Sequence, residues 1–107
     1  MRPREIITTD MLITTTEYCV LISNMTGAPV DDILGAPRKK EVSEARHLLM
    51  WTLVTVLGYT PTATGILLHR HRSTVITANE MFSGRFCGKR VEGLKQKILD
   101  YEAKRQK

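Results

Sequence analysis

The residues best suited to chemistry lie in one short segment, Leu67–Asn79, which reads LLHRHRSTVITAN. Two imidazoles alternate with two guanidiniums from His69 to Arg72, and the hydroxyls of Ser73 and Thr74 follow. Arginine can donate two hydrogen bonds to N7 and O6 of guanine, and hydroxyls can contact phosphates or base edges. If a helix begins here, its free amides and partial positive charge also attract anions. The segment therefore predicts contact with the phosphates and base edges of DNA.

The chain offers weaker candidates for other kinds of chemistry. His69 and His71 are two residues apart, whereas helical metal ligands are usually three or four apart, and Cys19 and Cys87 each stand alone. No Ser-His-Asp order and no carboxylate pair with a catalytic arrangement stands out, and Asp31–Asp32 is typical of a capped turn. We therefore expect no metal, no other cofactor and no enzymatic activity.

The distribution of charge indicates an anionic partner. The 107 residues carry a net charge of +5 at neutral pH. Residues 1–37 hold two basic and five acidic residues, whereas residues 38–107 hold 14 basic and six acidic residues. An acidic N-terminal part followed by a basic remainder favours binding of a polyanion by residues 38–107.

The composition is that of one soluble globular domain, with 42% hydrophobic and 25% charged residues. No stretch approaches the roughly 20 apolar residues that span a bilayer, so we expect no membrane partner. The N-terminal residues include no apolar signal-peptide core. Two distant cysteines favour free thiols over a disulfide, and a cytoplasmic location is expected.

The segment Leu67–Asn79 is predicted to be positioned by helices. Apolar residues recur along the chain at steps of three and four, and no strand pattern appears. The first helix is predicted over residues 9–26, with Leu12, Cys19, Ile22 and Met25 on its inner face. A short helical turn is predicted over residues 30–34, and a long helix over residues 39–57. The inner stripe of the long helix contains Val42, Ala45, Leu49, Leu53 and Val56, and Arg46 is expected to lie off it.

Two further helices are predicted, and together they indicate a helix-turn-helix. Thr60 before Pro61 is a start signal for a short helix that ends near Leu68. Gly65 inside that helix costs about 1 kcal/mol relative to alanine, which a close helix crossing would justify. A fourth helix follows, with Arg72 or Ser73 as its predicted cap and Val75, Ala78 and Phe82 as its inner stripe.

The stretch from Arg38 to Asn79 resembles the C-terminal DNA-binding domain of the bacterial chromosomal replication initiator DnaA. That family opens the domain with a basic cluster and a helix containing an Ala-Arg pair. It continues with a short helix containing Ile-Gly and with an Arg-Asp-His-Ser/Thr-Thr-Val signature. The corresponding residues here are Arg38-Lys39-Lys40, Ala45-Arg46, Thr64-Gly65 and Arg70-His71-Arg72-Ser73-Thr74-Val75. With the lead-in helix included, the resemblance covers roughly residues 10 to 84.

The resemblance implies an all-α domain whose fourth helix enters the major groove of double-stranded DNA, while an upstream basic residue reaches the minor groove. It implies DNA contacts by Arg70, Ser73 and Thr74 and a phosphate contact by Arg46. The complete expected DNA-binding set is Arg38, Lys39, Lys40, Arg46, Thr62, Arg70, His71, Arg72, Ser73 and Thr74.

The chain departs from the family in two respects. His71 and Arg72 replace the family's Asp-His pair, so we expect a different base pattern to be recognised. The G-x-x-x-x-G-K-[ST] phosphate loop of an ATPase is absent, so we expect no nucleotide partner. The expectation is a stand-alone DNA-binding protein that regulates replication or transcription, not an initiator that melts an origin.

A basic amphipathic helix is predicted over residues 89–104, with Val91, Leu94, Ile98 and Tyr101 on one face. The chain is accordingly divided into residues 1–84, the helix-turn-helix domain with its lead-in helix, and residues 85–107, a linker and C-terminal helix. This helix leaves an alternative function open, a protein-interaction module that pairs with another chain or forms a homodimer. Four apolar positions are few for a coiled coil, so docking onto the domain's own core is favoured.

Overall fold

The computed structural model describes residues 7–35, 39–84 and 88–106, and all regular structure in these ranges is helical. The prediction of a small all-α bundle is thus confirmed. None of these helices combines the length and the apolar character needed to cross a bilayer. The helices are α1 (Thr9–Thr26), α2 (Val30–Leu34), α3 (Lys40–Trp51) with a π-helical continuation (Thr52–Val56), α4 (Pro61–Leu68), α5 (Arg72–Ser83) and α6 (Lys89–Arg105).

The bounds of α1 agree with the prediction, and Cys19, Ile22 and Met25 face the core as predicted, but Leu12 does not. Thr8 caps the helix by accepting a hydrogen bond from the backbone N–H of Met11 (3.1 Å), and Gly27 ends it at φ 82°. Tyr18 and Ile22 are fully buried, whereas Leu12 is 50% exposed. The prediction for Leu12 was wrong because the inner face is centred on Tyr18, whose ring packs edge-on against a tyrosine of α6.

The long helix of the prediction changes its winding near its end. From Thr52 to Val56 it continues as a π-helical turn, closed by a hydrogen bond from the N–H of Leu57 to the carbonyl of Thr52 (3.0 Å). The hydroxyl of Thr52 donates to the carbonyl of Leu48 (2.8 Å), and β-branched residues dominate this stretch. Both features weaken α-helical winding, which explains the departure.

The C-terminal helix packs on the same core as the other helices. Val91, Leu94 and Ile98 are buried, as predicted, together with core residues of α1 and α3. The ammonium of Lys95 lies 5.1 Å from the centre of the Trp51 ring. Residues 88–106 therefore share one hydrophobic core with the described residues of 7–35 and 39–84.

Polar contacts join α6 to α1 reciprocally. The Tyr18 hydroxyl donates to Glu102, and the Tyr101 hydroxyl donates to Glu17. Arg105 donates to the Thr14 hydroxyl (3.1 Å). Burial and the Glu102 carboxylate raise the pKa of Tyr18, so this phenol remains a donor across the ordinary pH range. These contacts join residues 14–18 of α1 to residues 101–105 of α6 in antiparallel order.

Candidate nucleic-acid interface

The turn between α4 and α5 has three residues, His69–His71, as a helix-turn-helix requires. The predicted cap of α4 is confirmed, because the Thr60 hydroxyl accepts from the N–H of Ala63 (3.0 Å). At the other end His69 adopts the left-handed conformation (φ 54°), and the N–H of Arg70 donates to the carbonyl of Gly65 (2.8 Å). These bonds hold the turn tightly against α4.

Gly65 is required by this turn. A Cβ atom at Gly65 would lie 2.5 Å from the carbonyl oxygen of Arg70, far inside van der Waals contact. The close approach expected for this glycine is therefore present. It is made by the backbone of the adjoining turn, not by a crossing helix.

The N-terminal cap of α5 differs from the prediction. Neither Arg72 nor Ser73 caps this helix. The imidazole of His71 does so, because its Nδ1 accepts a hydrogen bond from the N–H of Ser73 (3.1 Å). When Nδ1 accepts, a neutral imidazole carries its proton on Nε2. His71 thus presents an N–H donor at the front of α5 as well as capping it.

The front of α5 exposes the predicted chemical groups. Arg72, Ser73 and Thr74 are all exposed in the first turn of the helix. The predicted inner stripe, Val75, Ala78 and Phe82, is buried and so confirmed. The helix therefore turns an apolar side to the core and a cationic, hydroxyl-bearing end to solvent.

Arg70 is held by the fold, although it belongs to the same basic run. It is half-buried, and its guanidinium donates to the carbonyls of Gly35 and His69. Gly35 follows α2, so these bonds tie the turn to the connection between α2 and α3. Arg70 consequently positions the turn, and only part of its guanidinium faces solvent.

Arg46 lies elsewhere than the prediction placed it. It is 8% exposed, and its guanidinium donates to the carbonyls of Asp32, Ile33 and Gly35, each at 2.9 Å. Burial and the nearby Arg70 lower the pKa of Arg46. The Arg46 guanidinium, which was expected to contact phosphate, is therefore already hydrogen-bonded to carbonyls at the end of α2. The sequence contained a signal, because Arg46 lies four residues after Val42 on the inner stripe.

The remaining residues predicted to contact DNA lie at the start of α3 and in the first turn of α4. Lys39 precedes α3 and Lys40 opens it, both exposed, and Thr62 is half-buried in the first turn of α4. Arg38 lies outside the described residues. Lys39 follows Gly35 by four residues, so its Cα lies within about 14 Å of the Gly35 Cα.

His47 is a half-buried residue of α3 that lies beside the candidate interface. It lines a shallow depression between α3 and α5, and its ring packs edge-on against Phe82 at 6.4 Å between centres. Burial and the Arg46 guanidinium lower the pKa of His47. The depression is lined by His47, Ser73, Thr74, Thr77, Ala78 and Met81.

The described residues provide no comparable site for metal binding or for thiol chemistry. Within the described ranges, no group of three or more His, Cys, Asp and Glu side chains could hold a metal ion. Cys19 is a buried free thiol, and burial raises its pKa to about 11, so it remains protonated and unreactive at neutral pH. Cys87 lies outside the described residues.

Comparison with protein-family models, curated proteins and solved structures finds no match to this chain.

Proposed function

We propose that this chain binds double-stranded DNA as a stand-alone helix-turn-helix domain of the DnaA C-terminal type. The observation that carries the proposal is the exposed first turn of α5, where Arg72, Ser73 and Thr74 extend beyond a three-residue turn. A helix of this kind fits the major groove, and its N-terminal side chains reach base edges there.

The proposed roles of the basic residues follow from their surroundings. Arg72 is exposed and reads a guanine through two parallel hydrogen bonds. Lys39 and Lys40 contact the phosphate backbone or the adjacent minor groove. Arg70 chiefly braces the turn. Arg46 is omitted from the contact set, because its guanidinium already bonds three carbonyls.

The alternative function, a protein-interaction module built on the C-terminal helix, is less well supported. Val91, Leu94 and Ile98, the apolar positions that such pairing would use, are buried in the domain's own core. Releasing them would expose that core to water. We therefore prefer DNA binding, for which exposed groups are in place.

The experiment is selection of bound sites from random duplexes, followed by anisotropy titration of the selected site and its single-base variants. We expect Arg72→Ala to cost about 1–3 kcal/mol on the selected site and to remove discrimination at one base pair. Arg72→Lys keeps the charge but lacks the planar fork, so it is expected to lose discrimination while retaining the salt dependence.

Two results would contradict the proposal. One is a selection that enriches no sequence and a duplex affinity that does not respond to salt. The other is an Arg72→Ala variant with the full affinity and base preference of the parent chain, which would remove α5 from the groove.

A further inference from the structure

The exposed side of α5 continues beyond its first turn. The inner side of this helix is defined by its buried residues, Val75, Ala78 and Phe82. An α-helix advances by about 100° per residue, so the opposite side carries three exposed residues, Ser73, Thr77 and Glu80. We call Ser73, Thr77 and Glu80 the outer strip of α5. It is the side that points away from the domain, so it faces the base edges when α5 lies in a major groove.

Glu80 places a carboxylate on the outer strip, and the cation of α5 lies far from it. Within α5 it is the only acidic residue, and the residues one turn away, Ile76, Thr77 and Ser83, are uncharged. Glu80 forms no ion pair with any described residue. Arg72, the basic residue of the helix, precedes it by eight positions, which is about 12 Å along the axis. A carboxylate in this position repels the phosphates of DNA unless a hydrogen-bond donor meets it.

The neighbouring hydroxyl also presents an acceptor. The Thr77 hydroxyl donates its proton to the carbonyl of Ser73 (3.0 Å), so its oxygen is left to accept hydrogen bonds. Thr77 precedes Glu80 by three residues, and side chains at this spacing are neighbours on a helix surface. Thr77 and Glu80 together therefore offer acceptors, which fit a group that donates hydrogen bonds.

We infer that Glu80 selects cytosine, by accepting a hydrogen bond from its N4 amino group in the major groove. Only cytosine and adenine present an amino donor there, whereas guanine and thymine present acceptors that repel a carboxylate. Adenine also sets its N7 acceptor beside its amino group, while the cytosine edge carries the donor alone. The inference rests on the proposed function, DNA binding through α5, and adds a second base to the one that Arg72 reads.

The positions of Arg72 and Glu80 predict the separation of the two bases. The residues are about 12 Å apart along α5, and successive base pairs of B-DNA are about 3.4 Å apart. A helix that lies along the groove therefore places its two readers about three or four base pairs apart. The selected site is expected to hold a guanine for Arg72 and a cytosine for Glu80 at that separation.

The test extends the selection from random duplexes to Glu80→Gln. This variant keeps the size of the side chain, removes its charge and supplies an amide that pairs with N6 and N7 of adenine. We expect the parent chain to lose about tenfold in affinity when the cytosine is replaced by adenine. In Glu80→Gln this preference is abolished or reversed, while discrimination at the base pair read by Arg72 is unchanged. Anisotropy titrations of single-base variants of the selected site measure both effects.

Asp100→Asn is the matched control, because it removes a carboxylate from an exposed position of α6. It is expected to keep the base preferences of the parent chain, and circular dichroism verifies that both variants are folded. The inference is overturned if Glu80→Gln binds every duplex more tightly with unchanged base preferences, since the carboxylate then only repels phosphates. It is also overturned if the enriched site has no cytosine at the expected separation. Either result leaves DNA binding standing, whereas a selection that enriches no sequence, with no response to salt, removes both proposals.

Discussion

Arg70 and Arg72 are two residues apart, yet their surroundings give them different roles. Arg70 finds the carbonyl of Gly35 and becomes part of the scaffold, whereas Arg72 begins a helix and remains exposed. Arg46 is the third case, buried against the end of α2. The availability of a backbone acceptor, and not the charge itself, decides which arginine stays exposed and could make the proposed DNA contact.

At the residue scale, the hydroxyl of Thr64 is an unsatisfied group. Thr64 is fully buried, and its Oγ1 has no hydrogen-bond partner among the described residues. Thr64→Val removes the hydroxyl and keeps the shape of the side chain. We expect the free energy of unfolding to rise by about 1 kcal/mol, measured by urea denaturation.

Thr52→Val is the matched control for that experiment. Thr52 is equally buried, but its hydroxyl donates to the Leu48 carbonyl (2.8 Å). We expect this variant to be no more stable than the parent chain, since it loses a satisfied bond. Equal stabilisation by both substitutions would mean that hydrophobicity, and not an unsatisfied hydroxyl, is the cause.

His47 predicts a pH dependence of stability. Burial, and then the charge of Arg46, lower its pKa below the ordinary value of 6.5. As pH falls through 6.5 the unfolded chain binds a proton that the folded chain refuses, so folding stability decreases until the lower folded pKa is passed. In His47→Gln this part of the decline is absent. Denaturant titrations of both proteins between pH 8 and pH 5 measure the difference, and identical slopes would refute the assignment.

At the scale of elements, α4 and α5 form one unit because their turn allows no side chain at Gly65. Gly65→Ala would press a methyl group against the Arg70 carbonyl at 2.5 Å, so either the turn or α4 must shift. We expect a loss of about 1–3 kcal/mol of stability, measured by thermal denaturation, together with weaker DNA binding.

Gly93→Ala provides the comparison. Gly93 lies inside α6 with open space where a Cβ atom would project, so alanine there should raise stability by about 0.5–1 kcal/mol through helix propensity. If the two substitutions changed stability in the same direction, the close approach at Gly65 would not be the controlling factor.

Apolar steps located α1 and α5, and the Thr60-Pro61 start signal located α4, because such signals act within a few residues. They were wrong for Leu12 and for the cap of α5, and they did not predict the π-helical turn. Whether Leu12 or Thr15 faces inward depends on which neighbouring helix covers α1, and the turn depends on hydroxyl bonding within a β-branched run.

At the scale of the whole molecule, the uneven charge predicts the salt response of DNA binding. Each phosphate neutralised on B-DNA contributes about 0.9 to the slope of log affinity against log salt. We expect Lys39→Ala to weaken binding to all duplexes alike and to lower that slope by about 1, as measured by titrations from 50 to 300 mM salt. Lys97→Ala, which removes a lysine of α6 outside the proposed DNA face, should leave the slope unchanged.

Local sequence patterns were enough to predict the helical class, most helix bounds and the segment of greatest chemical interest. Periodicity, caps and charge runs are local properties, so no knowledge of distant residues was needed. Which members of that segment are exposed depends instead on contacts between residues that are distant in the chain. Gly35 is 35 residues from Arg70 and 11 from Arg46, yet its carbonyl holds both guanidiniums. Likewise, the fold brings α1 and α6 into contact, where bonds between tyrosines and carboxylates join residues that are 84 positions apart in the chain.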